Sequence, residues 1–416
     1  MPKPFKVKRY NRIYRSRRSP SSLLLRGLGT LVAVCVLGFI GWSAYGPVMD
    51  YFSGVNTPLD KPVSANSTPI ENPPEAAPEQ TPAAAPAPAA PTQIKAVYIP
   101  PAVIADSVKL DALLEQLSLT EINAVMFDLK NTAGNVLYES KLELVKQAGS
   151  QSEDAFDLSA LCDKLNAKNI VPIGRLHAFH DPIAASHIPN AGIKYMNTEM
   201  LWLDNAADTG GKPWLNPYSE LAQAYITDIA TECVSLGVKR LMLDSMSFPT
   251  GYGQEYASYG SNAANVTRPE ALSSFIDAVD TQVGELSGEL NIYISALAAL
   301  GAHNSYYGSN PLTLSNNKVT IGVMPDQFGD GFTLESFSLE APVLHPGETV
   351  DSLLKFIAPD IAGMQVTAMV QGYNASYTVK NNMVYTAEAI NAQIAALSAN
   401  HVESYIIYNP DGNYPK

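Results

Sequence analysis

From residue 94 onward, short apolar runs take turns with amphipathic stretches, and this alternation limits the possible folds more than any other feature. Strand-like runs fall at 95–99, 123–129, 170–176, 240–243, 291–295, 319–324, 365–370 and 404–408. Between them, apolar residues recur at helical spacing over 108–117, 158–167, 220–236, 269–286, 350–359 and 387–399. Short continuous apolar runs suit parallel strands covered by helices on the outside. Eight of them alternating with helices predict an α/β fold, a (β/α)8 TIM barrel over 94–416. Only 311–315 offers itself as a fifth helix, and the sequence stops soon after the eighth strand, so a final helix is expected to be missing.

Upstream the texture differs. The 27 Lys and Arg face 40 Asp and Glu, and the two signs are segregated. Nine basic residues lie in the first 26 positions with no acid before Asp50, which leaves 18 basic against 40 acidic residues, a net of −22, for the remainder. So acidic a body excludes nucleic acid as a partner and suits neutral ligands such as sugars. Residues 1–22 are expected to form a basic cytoplasmic arm and 23–46 a membrane anchor, with a cleaved signal peptide as the alternative. Within 23–46, the stretch 28–45 is an uncharged run of about bilayer-spanning length, with Trp42 and Tyr45 at its far end. The charge bias would place the barrel outside the cell. Residues 47–93, rich in Pro and Ala, read as a disordered stalk. Cys162 and Cys233 lie in helical patterns without CxxC or His pairing. Two buried thiols are expected, and no metal or cofactor.

In a barrel of this kind chemistry sits where the strands end. Asp128 and Lys130 stand at the end of the second strand, and Arg175, His177 and His180 at the third. Asp244 follows the fourth, after a helix expected to start at Asn216-Pro217 and stop at Gly237. Asp326 follows the sixth strand, Gln371 and Tyr373 the seventh, Asn409 and Asp411 the eighth. Carboxylates, amides and aromatic rings on one face are the equipment of a carbohydrate site. Asp244 and Asp128 are the catalytic candidates. Arg175, His177, Trp214, Tyr218, Asp326, Gln371, Tyr373 and Asn409 are the candidates for binding a glycan. Each has a structural alternative. Asp128 and Lys130 can pair with each other, Arg175 can be a buried partner of Asp128 or Asp244, and the tryptophans can pin a loop.

Four stretches resemble a known family, the putative glycosyl hydrolase domains related to amylase-like barrels. They are Ala124-Val-Met-Phe-Asp-Leu-Lys130, Gly174-Arg-Leu-His-Ala-Phe-His-Asp-Pro182, Trp214-Leu-Asn-Pro-Tyr218 and Leu243-Asp-Ser-Met-Ser-Phe-Pro249. The resemblance implies a barrel, an extracytoplasmic setting and a polysaccharide or cell-wall glycan as ligand. The chain departs from the family pattern where Ser245 and Ser247 replace a Tyr and an Arg, and where the fifth strand end, Ser295-Ala-Leu-Ala-Ala-Leu300, lacks a carboxylate. Two readings therefore stand: a glycoside hydrolase in which Asp326 or Glu139 supplies the missing acid, or a catalytically inactive barrel that binds glycan or scaffolds envelope partners.

Overall fold

The computed structural model describes residues 93–314 and 316–414. The expected arm and anchor, and the stalk up to residue 92, lie outside the described residues. Eight parallel strands close into a barrel: β1 (Lys95–Tyr98), β2 (Ala124–Lys130), β3 (Val171–His177), β4 (Arg240–Asp244), β5 (Glu289–Ser295), β6 (Lys318–Gly322), β7 (Gln365–Gln371) and β8 (Ser404–Tyr408). Each pairs with the next, and β8 pairs back with β1. The outer layer contains helices α1 (Ser107–Leu117), α2 (Leu158–Asn166), α3 (Glu220–Ser235), α4 (Arg268–Glu285), α5 (Pro346–Ile357) and α6 (Ala387–Ala399).

Alternation along each strand sorts the side chains. Val97, Val125, Phe127, Leu241 and Ile292 point outward and join one core with Leu114, Ile226, Phe275 and Leu353 of the helices. Ala96, Met126, Ile173, Met242, Met369 and Ile406 point inward and fill the barrel. The next inward residues up the strands, two positions on, are Tyr98, Asp128, Arg175, Asp244 and Tyr408. The period of two therefore converts a hydrophobic plug into a polar mouth.

Helix starts follow from their caps. Asp106, Asp157 and Ser219 each accept a hydrogen bond from the N–H three residues on, and Thr267 with Glu270 forms a capping box for α4. The expected start at Asn216 is corrected. The Asn216 side chain accepts from the Tyr218 N–H at 3.0 Å and donates to the Tyr259 carbonyl at 3.1 Å. It is used up in a turn of its own, so α3 begins at Glu220 with Ser219 as cap. Gly237, at φ 110°, ends the descent to β4; a Cβ there would meet the Cβ of Cys162 at 2.9 Å.

The fifth helix is reduced to short turns at Ala296–Ala299, Asn304–Tyr307 and Pro311–Leu314. Among the described residues no helix follows β8. A groove of about 460 Å³, lined by Val97, Leu117, Ile390, Ile394 and Tyr405, lies between α1 and α6 over β1 and β8. One extension was not foreseen. β2 bulges between Asp128 and Lys130, and beyond the bulge Val136–Tyr138 pairs with it antiparallel, flanked by Gln151–Phe156. Cys162 and Cys233 are buried free thiols. Among the described residues no helix is long and apolar enough to cross a membrane.

Candidate functional site

At the barrel mouth Asp128 and Arg175 stand opposite each other on β2 and β3. The guanidinium grips the carboxylate with two bonds, Nε to Oδ1 at 2.5 Å and Nη2 to Oδ2 at 3.1 Å. The Tyr98 hydroxyl donates to Oδ2 at 2.9 Å. Burial pushes the Asp128 carboxyl upward, but the charge and hydrogen bonds of Arg175 overcome this and hold it below the ordinary carboxylate value. Arg175 is buried too; its charge is kept by Asp128 and Asp244. Its Cζ lies 5.3 Å from the Tyr98 ring centroid and 5.2 Å from that of Tyr408, so two aromatic faces help hold the cation.

Asp244 ends β4 opposite His177 of β3. Its two oxygens differ. Oδ1 accepts the Ser245 N–H at 2.5 Å. Oδ2 lies 3.7 Å from His177 Nδ1 and 4.0 Å from Arg175 Nη1, near enough for attraction and too far for a hydrogen bond. His177 Nδ1 is instead 2.8 Å from the Ser245 hydroxyl. Burial lowers the His177 pKa. Asp244 and Asp128 pull it up while Arg175 and Lys130 push it down, and the outcome lies below the ordinary value, a neutral imidazole at neutral pH. Ser245 adopts a left-handed φ of 52°, a conformation that costs a non-glycine residue about 1–3 kcal/mol.

Lys130 does not pair with Asp128. The bulge turns it to the other side, where its ammonium donates to the His177 carbonyl at 2.7 Å and lies 2.9 Å from Asp181 Oδ2, both side chains fully buried. Asp181 Oδ1 in turn accepts the Ala184 N–H and starts the helix Pro182–His187. This pair fixes the backbone that carries His177.

On the far wall the Tyr373 hydroxyl donates to Asp326 Oδ2 at 2.7 Å, while Asp326 Oδ1 is buried without a hydrogen-bond partner among the described residues. Burial, only partly offset by the Tyr373 bond, raises the Asp326 carboxyl above the ordinary value. Tyr373 meets Tyr408 edge-on at 6.0 Å, and Gln327 reaches the Tyr293 hydroxyl at 3.5 Å. Tyr98, Tyr293, Tyr373 and Tyr408 thus ring the mouth. Gly322 makes room for Tyr293, whose hydroxyl would lie 2.2 Å from a Cβ there.

Of the residues expected to bind a ligand, four are placed otherwise. Gln371 is fully buried; its amide donates to the Tyr373 carbonyl at 3.0 Å and accepts from the Asp326 N–H at 2.9 Å. Asn409 donates to the Gly372 and Asn413 carbonyls and accepts from the Asp411 N–H. Both amides tie loops together. Trp214 is stacked on His180 at 4.3 Å, and its indole N–H donates to Asp204. Tyr218 packs on Phe248 at 5.1 Å and on Tyr259 at 6.0 Å. Both side chains are buried, and Tyr218 also borders a groove with Asn216, Glu220 and Asn262. Trp202, wholly buried, donates to the Gly253 carbonyl. Glu139 is exposed on the β2 extension. Tyr98 and Tyr408 were not foreseen in the site; the one available signal was their position at the ends of β1 and β8. Among the described residues no group of three or more His, Cys, Asp or Glu side chains is placed to hold a metal ion.

A family model described as "putative glycosyl hydrolase domain" matches residues 96–414. The glycoside hydrolase domain of PgaB (BpsB) from Bordetella bronchiseptica is 12% identical, with a TM-score of 0.55 over 77% of this chain and 95% of that one. A hypothetical protein from Ruminiclostridium thermocellum is 26% identical, with a TM-score of 0.42 over 47% of this chain and 96% of its own. The glycoside hydrolase domain of PelA from Pseudomonas aeruginosa is 13% identical, with a TM-score of 0.38 over 78% and 97%. No curated protein sequence matches the chain.

Proposed function

Since the chain belongs to the family of putative glycosyl hydrolase domains, whose model spans the barrel, we propose that its mouth binds and cleaves a polysaccharide or cell-envelope glycan. Asp244 is the reacting carboxylate. The observation that carries this role is its Oδ2, which has no hydrogen-bond donor among the described residues yet lies 4.0 Å from a guanidinium. It is the oxygen able to act as nucleophile or base. Asp128, saturated by Arg175 and Tyr98, holds the guanidinium beside Asp244 and is a positioning residue. A glycosidase also needs a protonated acid. Asp326, raised by burial and carried two strands further round the barrel, is the acid in this reading. The apolar run 28–45 and the basic arm before it support an anchored, extracytoplasmic placement, with the Pro/Ala-rich stretch as spacer.

The test is hydrolysis of a panel of cell-wall and storage glycans by the full-length protein, beside Asp244→Asn. Product release falling by about 100-fold or more in the variant is expected for loss of a carboxylate that takes part in the chemistry. One observation favours a second reading, a glycan-binding barrel without turnover: the fifth strand end carries no carboxylate. Saturable glycan binding without release would establish that reading. Neither binding nor release would sink both.

A further inference from the structure

Ser245 has no part in glycoside cleavage through its side chain, yet its surroundings are those of a nucleophile. We propose that Ser245 and His177 form a nucleophile–base pair for acyl transfer, with which the barrel mouth hydrolyses a small carboxylic ester such as an O-acetyl group on a glycan. Four observations carry this. The Ser245 Oγ lies 2.8 Å from His177 Nδ1, within the reach a general base needs. The left-handed φ of 52° sets the serine on a strained turn as β4 ends, the device by which hydrolases lift a nucleophilic serine clear of a sheet. Asp244 Oδ2, 3.7 Å from the same ring nitrogen, is placed to stabilise an imidazolium. The N–H of Met246, next after the serine, has no hydrogen-bond partner among the described residues. It is the donor that an oxyanion at this site requires. Ser245 is half-buried and His177 buried, which restricts the acyl group to a small one.

With its proton on Nε2, His177 accepts the Ser245 proton at Nδ1 as Oγ attacks the ester carbonyl carbon, and the carbonyl oxygen takes the negative charge. Collapse of this adduct breaks the carbon–oxygen bond to the alcohol, which leaves with the proton from His177. Water then attacks the acyl-serine. His177 takes its proton and returns one to Oγ as the carboxylic acid departs. No oxidant or cofactor enters the balance.

Only the choice of a glycan as the alcohol rests on the proposed function, so the experiment separates the two. Full-length protein is treated with a fluorophosphonate probe and assayed on 4-nitrophenyl acetate, which contains no sugar. Acetate release from an O-acetylated polysaccharide is measured in parallel. We expect the probe on Ser245, located by peptide mass spectrometry. Ester turnover should fall by about 100-fold or more in Ser245→Ala, Ser245→Gly and His177→Gln. Glycine accepts the left-handed backbone, so Ser245→Gly keeps the fold where alanine strains it. An unlabelled wild type, or turnover unchanged in folded Ser245→Gly, would overturn the proposal. Turnover of 4-nitrophenyl acetate through Ser245 with no action on or binding of any glycan would keep the acyl chemistry and remove the glycan. Glycan cleavage that depends on Asp244 in a protein whose Ser245 ignores the probe would do the reverse.

Discussion

Arg175 bears more of the site than any other side chain. It neutralises Asp128, faces Asp244 and lies against two tyrosine rings. Arg175→Met leaves the Asp128 carboxylate buried without its cation, an error that costs about 3–5 kcal/mol in buried pairs. Urea unfolding should show that loss. Arg175→Met with Asp128→Leu should recover much of it, because the stranded charge is gone. Loss in the single variant no greater than about 1 kcal/mol would mean the pair is solvated like a surface one. Asp128, Arg175, His177 and Asp244 were legible because a polar residue ending an apolar strand has few other places to point. Tyr98 and Tyr408 were not, since an inward aromatic reads the same whether it fills a core or rims a mouth. For Gln371 and Asn409 residue type leaves two uses open. An amide after a strand bonds a loop carbonyl as well as it bonds a sugar hydroxyl, and residue type carries no trace of which.

Elements hold those side chains through their termini. α3 leads through the turn at Gly237 into β4, the strand that carries Asp244, and Ser219 caps its start. Ser219→Ala removes the acceptor for the Ala222 N–H and should cost about 1 kcal/mol. Thr267→Ala removes the hydroxyl that accepts the Glu270 N–H and donates to the Glu270 carboxylate, leaves the backbone N–H of residue 267 on that carboxylate, and should cost a similar amount. The sites share no partner, so the double variant should show the sum, read from chemical denaturation midpoints at constant slope; a deficit would show that α3 and α4 unfold as one unit. All six outer helices announce themselves by periodicity. The β2 extension does not. Val136–Tyr138 is three residues long, too short for a pattern. The residues of Gln151–Phe156 are exposed or half-buried, so they lack the apolar run by which a strand is found.

At the scale of the whole barrel, burying imidazoles beside the mouth makes stability depend on pH. Burial lowers the pKa of both His177 and His180 below the ordinary 6.5. His177 faces Asp244, Arg175, Asp128 and Lys130; His180 faces Asp204, Lys130, Asp181 and Asp244. A lowered histidine binds its proton more readily in the unfolded chain. Stability is therefore complete above pH 6.5 and declines as pH falls from there toward the folded values. The carboxylates act further down. Asp128, depressed below the ordinary 3.8, contributes stability that is lost only as pH falls through its folded value. Asp326, raised above 3.8, works in the opposite sense and gains on acidification. The first decline below pH 6.5 thus belongs to the histidines. Melting temperature measured in steps from pH 7.5 to 5 should fall across this window, and His177→Gln with His180→Gln should flatten the slope. A slope unchanged in the folded double variant would assign the acid sensitivity elsewhere. The same closed barrel that the strand alternation foretold is what brings these groups to one mouth. Eight strands returning on themselves set Arg175 of β3 between Asp128 of β2 and Asp244 of β4, so the cation meets a carboxylate on each neighbouring strand.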